Sequence, residues 1–325
     1  MAIVLDAMGG DFAPGKIIQG ALRAASEGVY IYLTGPRDEL TPLVAGAKAV
    51  EIVHAPDRVA MSESPADVIR KKPESSLMVG ARLAKEKGIP LVSAGNTGAC
   101  MAAALFTFGR IKGIKRPPIA SVFPGIEGGR TIILDVGANV DCSSENLMNF
   151  ALMGAAYATA IFGIKKPSIG LLSNGGEAEK GNALTLETYK CLQESNLNFI
   201  GNVEGYHVLS GKCDVIVTDG FSGNILLKTA EGVTRSLLRL VHSSLSAPES
   251  QPLLATQSLL AKLEVFNPSS PEHSGAPLLG INGSCFIVHG NADEKTTYGA
   301  CLASEKLGRS GIVKHIADEL EKKRS

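Results

Sequence analysis

The sequence predicts an α/β fold with a mostly parallel sheet covered by helices on both faces, and three observations predict it. Short runs rich in Val, Ile and Leu recur, and most are continuous rather than alternating, the pattern of strands buried on both sides. Amphipathic helical patterns lie between them, so strand and helix alternate along the chain. The 36 glycines of the 325 residues gather at the ends of the apolar runs, where a parallel strand turns into its crossover helix.

In chain order, the first strand is Ala2–Leu5 and the first helix Gly15–Glu27, followed by strands at Val29–Leu33 and Glu51–Val53. Ser64 before Pro65 opens a helix, because serine caps a first turn and proline has no amide to lose there. The next helix, Ser75–Lys87, is closed by Gly88. Strands follow at Ile89–Val92, Ile119–Val122 and Ile132–Leu134, then helix Ser144–Phe162, strand Ile169–Leu172 and helix Asn182–Glu194. Strands Phe199–Val203 and Val215–Val217 precede helix Ser222–Ser244.

Leu245 to Pro271 breaks the alternation: Pro248, Pro252, Pro268 and Pro271 interrupt it, and Leu259, Leu260, Leu263 and Phe266 share one helical face. This is an excursion from the sheet, packed on its own domain or a second copy, or presented to a membrane surface or another protein. Strand Cys285–Val288, helix Asp293–Leu307, closed by Gly308, and the amphipathic Ile312–Lys322 complete the chain. No repeat, charge block or low-complexity linker divides it, so the expectation is one domain over 1–325 with the excursion at about 240–271.

At 45% hydrophobic and 20% charged residues the composition is that of a globular protein. Lys+Arg and Asp+Glu both total 32, so no net positive field favours nucleic acid as a partner. Cys100, Cys142, Cys191, Cys213, Cys285 and Cys301 form no CxxC pair, which fits a reduced, intracellular setting. The start, MAIVLDAMGGD, reads as a strand rather than a signal peptide. The longest mainly apolar stretch, Phe150 to Ile164, falls short of the roughly 20 residues that cross a bilayer.

The polar ends of the strands are the main functional signal, because ligands of open parallel sheets bind beyond the carboxyl ends of the strands. Six glycine-containing turns converge there: Asp6-Ala-Met-Gly9-Gly10-Asp11, Ser93-Ala-Gly95-Asn96-Thr97-Gly98, Asp135-Val-Gly137-Ala-Asn139-Val-Asp141, Ser173-Asn174-Gly175-Gly176, Asp219-Gly220-Phe-Ser222-Gly223-Asn224 and His289-Gly290-Asn291-Ala-Asp293. Glycine lets a backbone approach a ligand, and the helix after each turn offers free N–H groups and a positive dipole end, so an anion is the natural occupant. For any single turn, a need for φ > 0 explains Gly and Asn equally well.

None of the turns is a dinucleotide or nucleotide phosphate-loop motif, and no nucleophile elbow or activated cysteine is present. The six histidines show no paired metal-ligand spacing. Lys180 lies in a loop where a cation completes an anion pocket, Lys228 follows the Ser222–Asn224 turn, and His289 closes a strand.

These blocks resemble the bacterial phosphate acyltransferases of phospholipid synthesis over essentially the whole chain. The resemblance runs through DAMGGD (6–11), HAPDRVAMSESPADVIRKK (54–72), SAGNTGA (93–99), GIKRPPIA (113–120), LDVGANVDC (134–142), EKGNALT (179–185), VTDGFSGNILLKTAEG (217–232) and GAPLLGINGSCFIVHG (275–290). It implies a Rossmann-like α/β/α sandwich related to the phosphate acetyltransferase fold, and a homodimer. It also implies transfer of a long-chain acyl group from acyl carrier protein to inorganic phosphate. No metal or other cofactor is called for. The family's proteins are cytoplasmic and work at the inner face of the membrane, passing acyl phosphate to a membrane glycerol-phosphate acyltransferase, and the 245–271 excursion resembles their dimer and membrane-facing element.

On this resemblance the N–H groups of Gly9, Gly10, Gly95, Gly137, Gly220 and Gly223, with Asn96, Thr97, Ser222 and Asn224, are expected to cradle phosphate and oxyanion. Asn139 and Asn182 belong to the same set, and Lys180 offsets charge. Asp6, Asp11 and Asp219 orient these groups or take the phosphate proton, and His289 serves the leaving group. Two other readings stay open: a short-chain acyl-CoA donor, and a non-catalytic scaffold for lipid-synthesis enzymes.

Overall fold

Strands that are apolar without alternation must be covered on both sides, and the computed structural model, which describes residues 1–126, 128–245, 263 and 274–324, shows how. The described strands are β1 (Ala2–Asp6), β2 (Tyr30–Gly35), β3 (Val50–His54), β4 (Leu91–Ser93), β5 (Ala120–Pro124), β6 (Arg130–Leu134), β7 (Ser168–Leu172), β8 (Asn198–Val203), β9 (Val215–Val217), β10 (Ala276–Leu278) and β11 (Cys285–Ile287). They form two sheets, ordered β10-β11-β4-β1-β2-β3 and β5-β6-β9-β7-β8. Every pairing is parallel except β10 on β11 and β5 on β6.

The mostly parallel α/β character is as the sequence predicts, but the sheet is divided. The two antiparallel edge strands face each other where Ile119 bridges Leu278 and the Leu279 N–H donates to the Pro118 carbonyl at 3.0 Å. Pro117 and Pro118 precede β5 and Pro277 sits within β10. A proline cannot donate to a ladder, so these edges join at one bridge instead of merging. The same proline and a length of three residues hide β10 from sequence reading.

Among the described residues the α-helices of four or more residues are α1 (Gly15–Ser26), α2 (Arg37–Leu40), α3 (Pro65–Lys71), α4 (Ser76–Lys87), α5 (Thr97–Phe108), α6 (Ser144–Phe162), α7 (Ala183–Gln193), α8 (Gly220–Leu245), α9 (Glu294–Arg309) and α10 (Ile312–Arg324). Ser64 and Pro65 open α3 as expected, and Gly88 closes α4 in the left-handed conformation, φ 63°. Gly308 does not close α9. A Cβ there would meet Pro90 Cγ at 2.7 Å, so this glycine serves close packing and the helix runs on to Arg309. Of the 245–271 excursion only residues 245 and 263 are described; Leu259, Leu260 and Phe266 lie outside the described residues.

Two apolar clusters run across both sheets, one on each face. Ile3 and Leu5 of β1 join α1, α9, α6 and α10 with Ile132, Leu134 and Val217 of the second sheet. Val4, on the opposite face of β1, joins α4 and α5 with Ile133 and Ile216. This alternation packs both sheets against shared layers of helices, one on each face. Phe150 of α6 is fully buried in the first cluster. Phe150→Ala should lower the unfolding free energy by about 3–5 kcal/mol in urea titrations, and a loss below about 1 kcal/mol would contradict this packing.

Candidate active site

At the end of β1 the Asp6 carboxylate is 2% exposed. It accepts from Ser93 Oγ at 2.7 Å and from the Met8 N–H at 3.2 Å, and Ser93 Oγ in turn accepts from the Gly95 N–H at 3.1 Å. Burial pushes the Asp6 carboxyl up, against hydrogen bonds from Ser76, Ser93, Met8 and Gly9. Gly10 has φ 104°, which a side chain disfavours, and it lets the Asp11 N–H reach the Gly290 carbonyl at 2.7 Å. The turns after β1, β4 and β11 are thereby tied together. Asn96 caps α5 through the Ala99 N–H, and its Nδ2 donates to the Met61 carbonyl at 2.6 Å.

The second sheet has a stronger knot. The buried Asp135 carboxylate accepts from the Ile119, Gly137, Ala138 and Asn139 N–H groups and from Asn139 Nδ2, at 2.6 to 3.2 Å. Asn139 Nδ2 also donates to the Pro117 carbonyl, and the Asn139 carbonyl accepts from the Gly220 N–H at 2.7 Å. Asp219 caps α8 by accepting from the Ser222 N–H at 2.8 Å. Gly223 lies so close to the Asp135 carbonyl that any Cβ there would collide with it.

Between the sheets is a cavity of about 230 Å³. One wall is apolar, made by Ile119, Val122, Phe123, Val136, Leu227 and Ala230. Thr97, Gly137, Asn224, Lys228, Glu231 and His289 supply its polar part. Glu231 takes Lys228 Nζ at 2.8 Å and His289 Nε2 at 3.3 Å, with its side chain 12% exposed. Burial opposes ionisation of Glu231, but the hydrogen bonds and charges of His289 and Lys228 outweigh it and hold the carboxyl down at about 2. Thr97 begins α5, and with the Ala99 N–H taken by Asn96 the Thr97 and Gly98 N–H groups have no acceptor within the helix.

Of the residues singled out from sequence, Thr97, Gly137, Asn224, Lys228 and His289 line this cavity. The expected amide cradle is largely occupied. The Gly95, Gly137, Gly220 and Gly223 N–H groups donate to Ser93 Oγ, Asp135 Oδ1, the Asn139 carbonyl and the Asp219 carbonyl, so these glycines order the turns instead of offering free donors. Ser222 donates its N–H to Asp219, and Gly9 packs against Gly95, Ser93 and Asp6. Asp11 is exposed, and Asn182 caps α7 through the Thr185 N–H at 3.0 Å.

Lys180 lies in a separate hollow with Asn174, Gly175, Gly176, Glu177 and Glu204, on the turn after β7. Glu231 was not foreseen: nothing local marks a glutamate inside a helix as the partner of a histidine on another strand. Asp135 could be found as a strand-end acid, but its role is to bind the fold's own amides. Among the described residues no group of three or more His, Cys, Asp and Glu side chains could hold a metal ion, and no helix is long and apolar enough to cross a membrane.

Residues 1–315 match a family model described as "Fatty acid synthesis protein". A phosphate acyltransferase of Desulfitobacterium hafniense is 43% identical over 98% of this chain and 98% of its own length. One of Syntrophomonas wolfei is 41% identical over 99% of each. Among solved structures, a phosphotransacetylase from Streptococcus pyogenes superposes with a TM-score of 0.62 at 16% identity, covering 99% of this chain and 94% of that one. Another, from Staphylococcus aureus, has a TM-score of 0.60 at 16% identity, covering 95% and 94%. These likenesses establish the shared α/β/α fold.

The Glu231 pairing has a pH signature. Its folded carboxyl titrates at about 2 against an ordinary 4.5, so the stability it contributes is full above 4.5 and is lost as the pH falls through about 2. The wild-type chain should therefore exceed Glu231→Gln in denaturant resistance above that window, with the difference shrinking as the pH falls through it. A difference independent of pH would show that the charge on Glu231 contributes nothing.

Proposed function

The chain belongs to the phosphate acyltransferase family, and from that premise we propose that it transfers a long-chain acyl group from acyl carrier protein to inorganic phosphate, giving acyl phosphate for phospholipid synthesis. The observation that carries the reading is the two-sided cavity: an apolar wall suited to an acyl chain borders Thr97, Asn224 and His289, which suit phosphate and the thioester carbonyl. Phosphate is the nucleophile, so the protein supplies position and electrostatics rather than a covalent intermediate. One phosphate oxygen bonds to the carbonyl carbon, the carbon–sulfur bond breaks, and the proton carried by hydrogen phosphate ends on the departing thiolate.

In this reading Asn224 and the first N–H groups of α5 hold the phosphate and the oxyanion. Asp6 and Asp219 keep the turns in place, and Lys180 offsets charge from the neighbouring turn of the second sheet. Phe221, Ile225, Val233, Leu237 and Leu240 of α8 are more than half exposed, which supports a homodimer or a membrane-facing surface along that helix. The protein works in the cytoplasm as one unit over 1–325, with peripheral contact at the inner face of the membrane, where it hands acyl phosphate to a membrane glycerol-phosphate acyltransferase.

The test is phosphate-dependent loss of thioester from palmitoyl-acyl carrier protein, with palmitoyl-CoA in parallel. Acyl phosphate from the carrier-bound donor is expected; turnover of the CoA thioester alone would reassign the donor, and none with either would leave a scaffold. Asn224→Ala should lower kcat by about 10²-fold, the usual effect of losing one donor to a developing oxyanion. Lys180→Ala should lower kcat/KM for phosphate by about 10²-fold, and a change under about threefold would remove Lys180 from the mechanism.

A further inference from the structure

We propose that Glu231 is a positioning residue for His289, fixing the imidazole so that Nδ1 is bare and faces the reacting groups, and that Lys228 fixes Glu231 in turn. The inference rests on the acyl-transfer reading of the cavity and assigns it a proton carrier. All three residues line the cavity wall. Glu231 Oε1 meets His289 Nε2 at 3.3 Å, and Glu231 Oε2 meets Lys228 Nζ at 2.8 Å. Lys228 and Glu231 are one turn apart on α8, whereas His289 follows β11 of the other sheet, so the contact spans the cavity.

A carboxylate only accepts, so the imidazole nitrogen facing it must carry the proton. That leaves Nδ1 with a lone pair, and among the described residues none pairs with it. The chemistry needs such a group. Hydrogen phosphate loses one proton as it becomes the acyl phosphate, and the thiolate gains one as it leaves. Nδ1 takes the first and returns it to sulfur, so His289 ends each turnover unchanged. Between the two steps the imidazolium stands beside an ionised Glu231, which stabilises it.

Lys228 makes the arrangement testable. Its ammonium has only donors, so in Glu231→Gln the amide oxygen must turn to Lys228 and the amide NH2 to His289. An NH2 facing Nε2 forces the proton onto Nδ1, the wrong tautomer for accepting from phosphate. Loss of general acid–base catalysis then predicts a kcat about 10²-fold lower with KM for phosphate and donor within about twofold. Adding Lys228→Met releases the amide to rotate and should restore part of kcat. His289→Ala with Glu231→Gln should lose no more than His289→Ala alone, because Glu231 acts only through His289.

The experiment combines these kinetics, on palmitoyl-acyl carrier protein and inorganic phosphate, with 15N spectra of the histidine-labelled protein. The His289 signal should report a protonated Nε2 in the wild-type chain and a protonated Nδ1 in Glu231→Gln. Additive losses in the double variant, an unchanged kcat in Glu231→Gln, or a tautomer that does not move would each overturn the proposal. The spectra read the pairing even in a chain without turnover: a switched tautomer beside an inactive wild type sinks the acyl-transfer reading and the proton-carrier role while leaving the Glu231 pairing standing.

Discussion

Five N–H donors converge on the buried carboxylate of Asp135, and the junction between the two sheets depends on them. The Ile119 amide comes from the chain entering β5, beside the bridge to Leu278 of the first sheet. The Asn139 amide and side chain come from the turn after β6, whose carbonyl holds the first residue of α8. One charge therefore sets the crossing point, the turn and the start of the long helix. A neutral side chain could not accept from so many donors in an apolar setting, and an unmatched buried amide costs about 1–3 kcal/mol.

Asp6 plays the corresponding part in the first sheet on a smaller scale. Through Ser93 it orders the Gly95 amide, and with the Asp11–Gly290 bond it aligns the turns after β1, β4 and β11. Both acids lie behind the cavity instead of in it, so the strand ends are rigid before any ligand arrives. Preorganisation of this kind lets a few unsatisfied donors act without rearrangement during reaction.

The layer order was legible because apolar runs and amphipathic patterns answer directly to burial. The elements that escaped do not carry those patterns: β10 contains Pro277, and α5 is apolar nearly all round, from Ala99 and Cys100 to the exposed Phe106. That several strand-end turns border a cavity was legible in the sequence, but their contacts were not. Helix capping, tight turning and anion binding all select Gly, Asn, Asp and Ser at the same positions. Asn182 as a cap and Thr97 on the cavity wall look alike in sequence, and only the destination of each hydrogen bond separates them. Glu231 left no local trace, since its partner His289 is remote in the chain and adjacent only through folding.

In the proposed reaction an ion sits against an apolar wall, a conflict that charge balance among the lining residues addresses. A wall of Ile, Val, Phe and Leu lowers the local dielectric, which strengthens each donor aimed at phosphate and also raises the penalty on any charge left without a partner. Lys228 facing the cavity alone would compete for the phosphate as a fixed counter-ion and hold product as well as substrate. Paired with Glu231 at 2.8 Å it contributes little net field, which in the proposed reaction leaves the neutral donors Thr97 and Asn224 to hold the ligand. Such donors favour the oxyanion as it forms more than the ground-state carbonyl, and a pair that is nearly neutral releases a dianionic product more readily than an unpaired cation would.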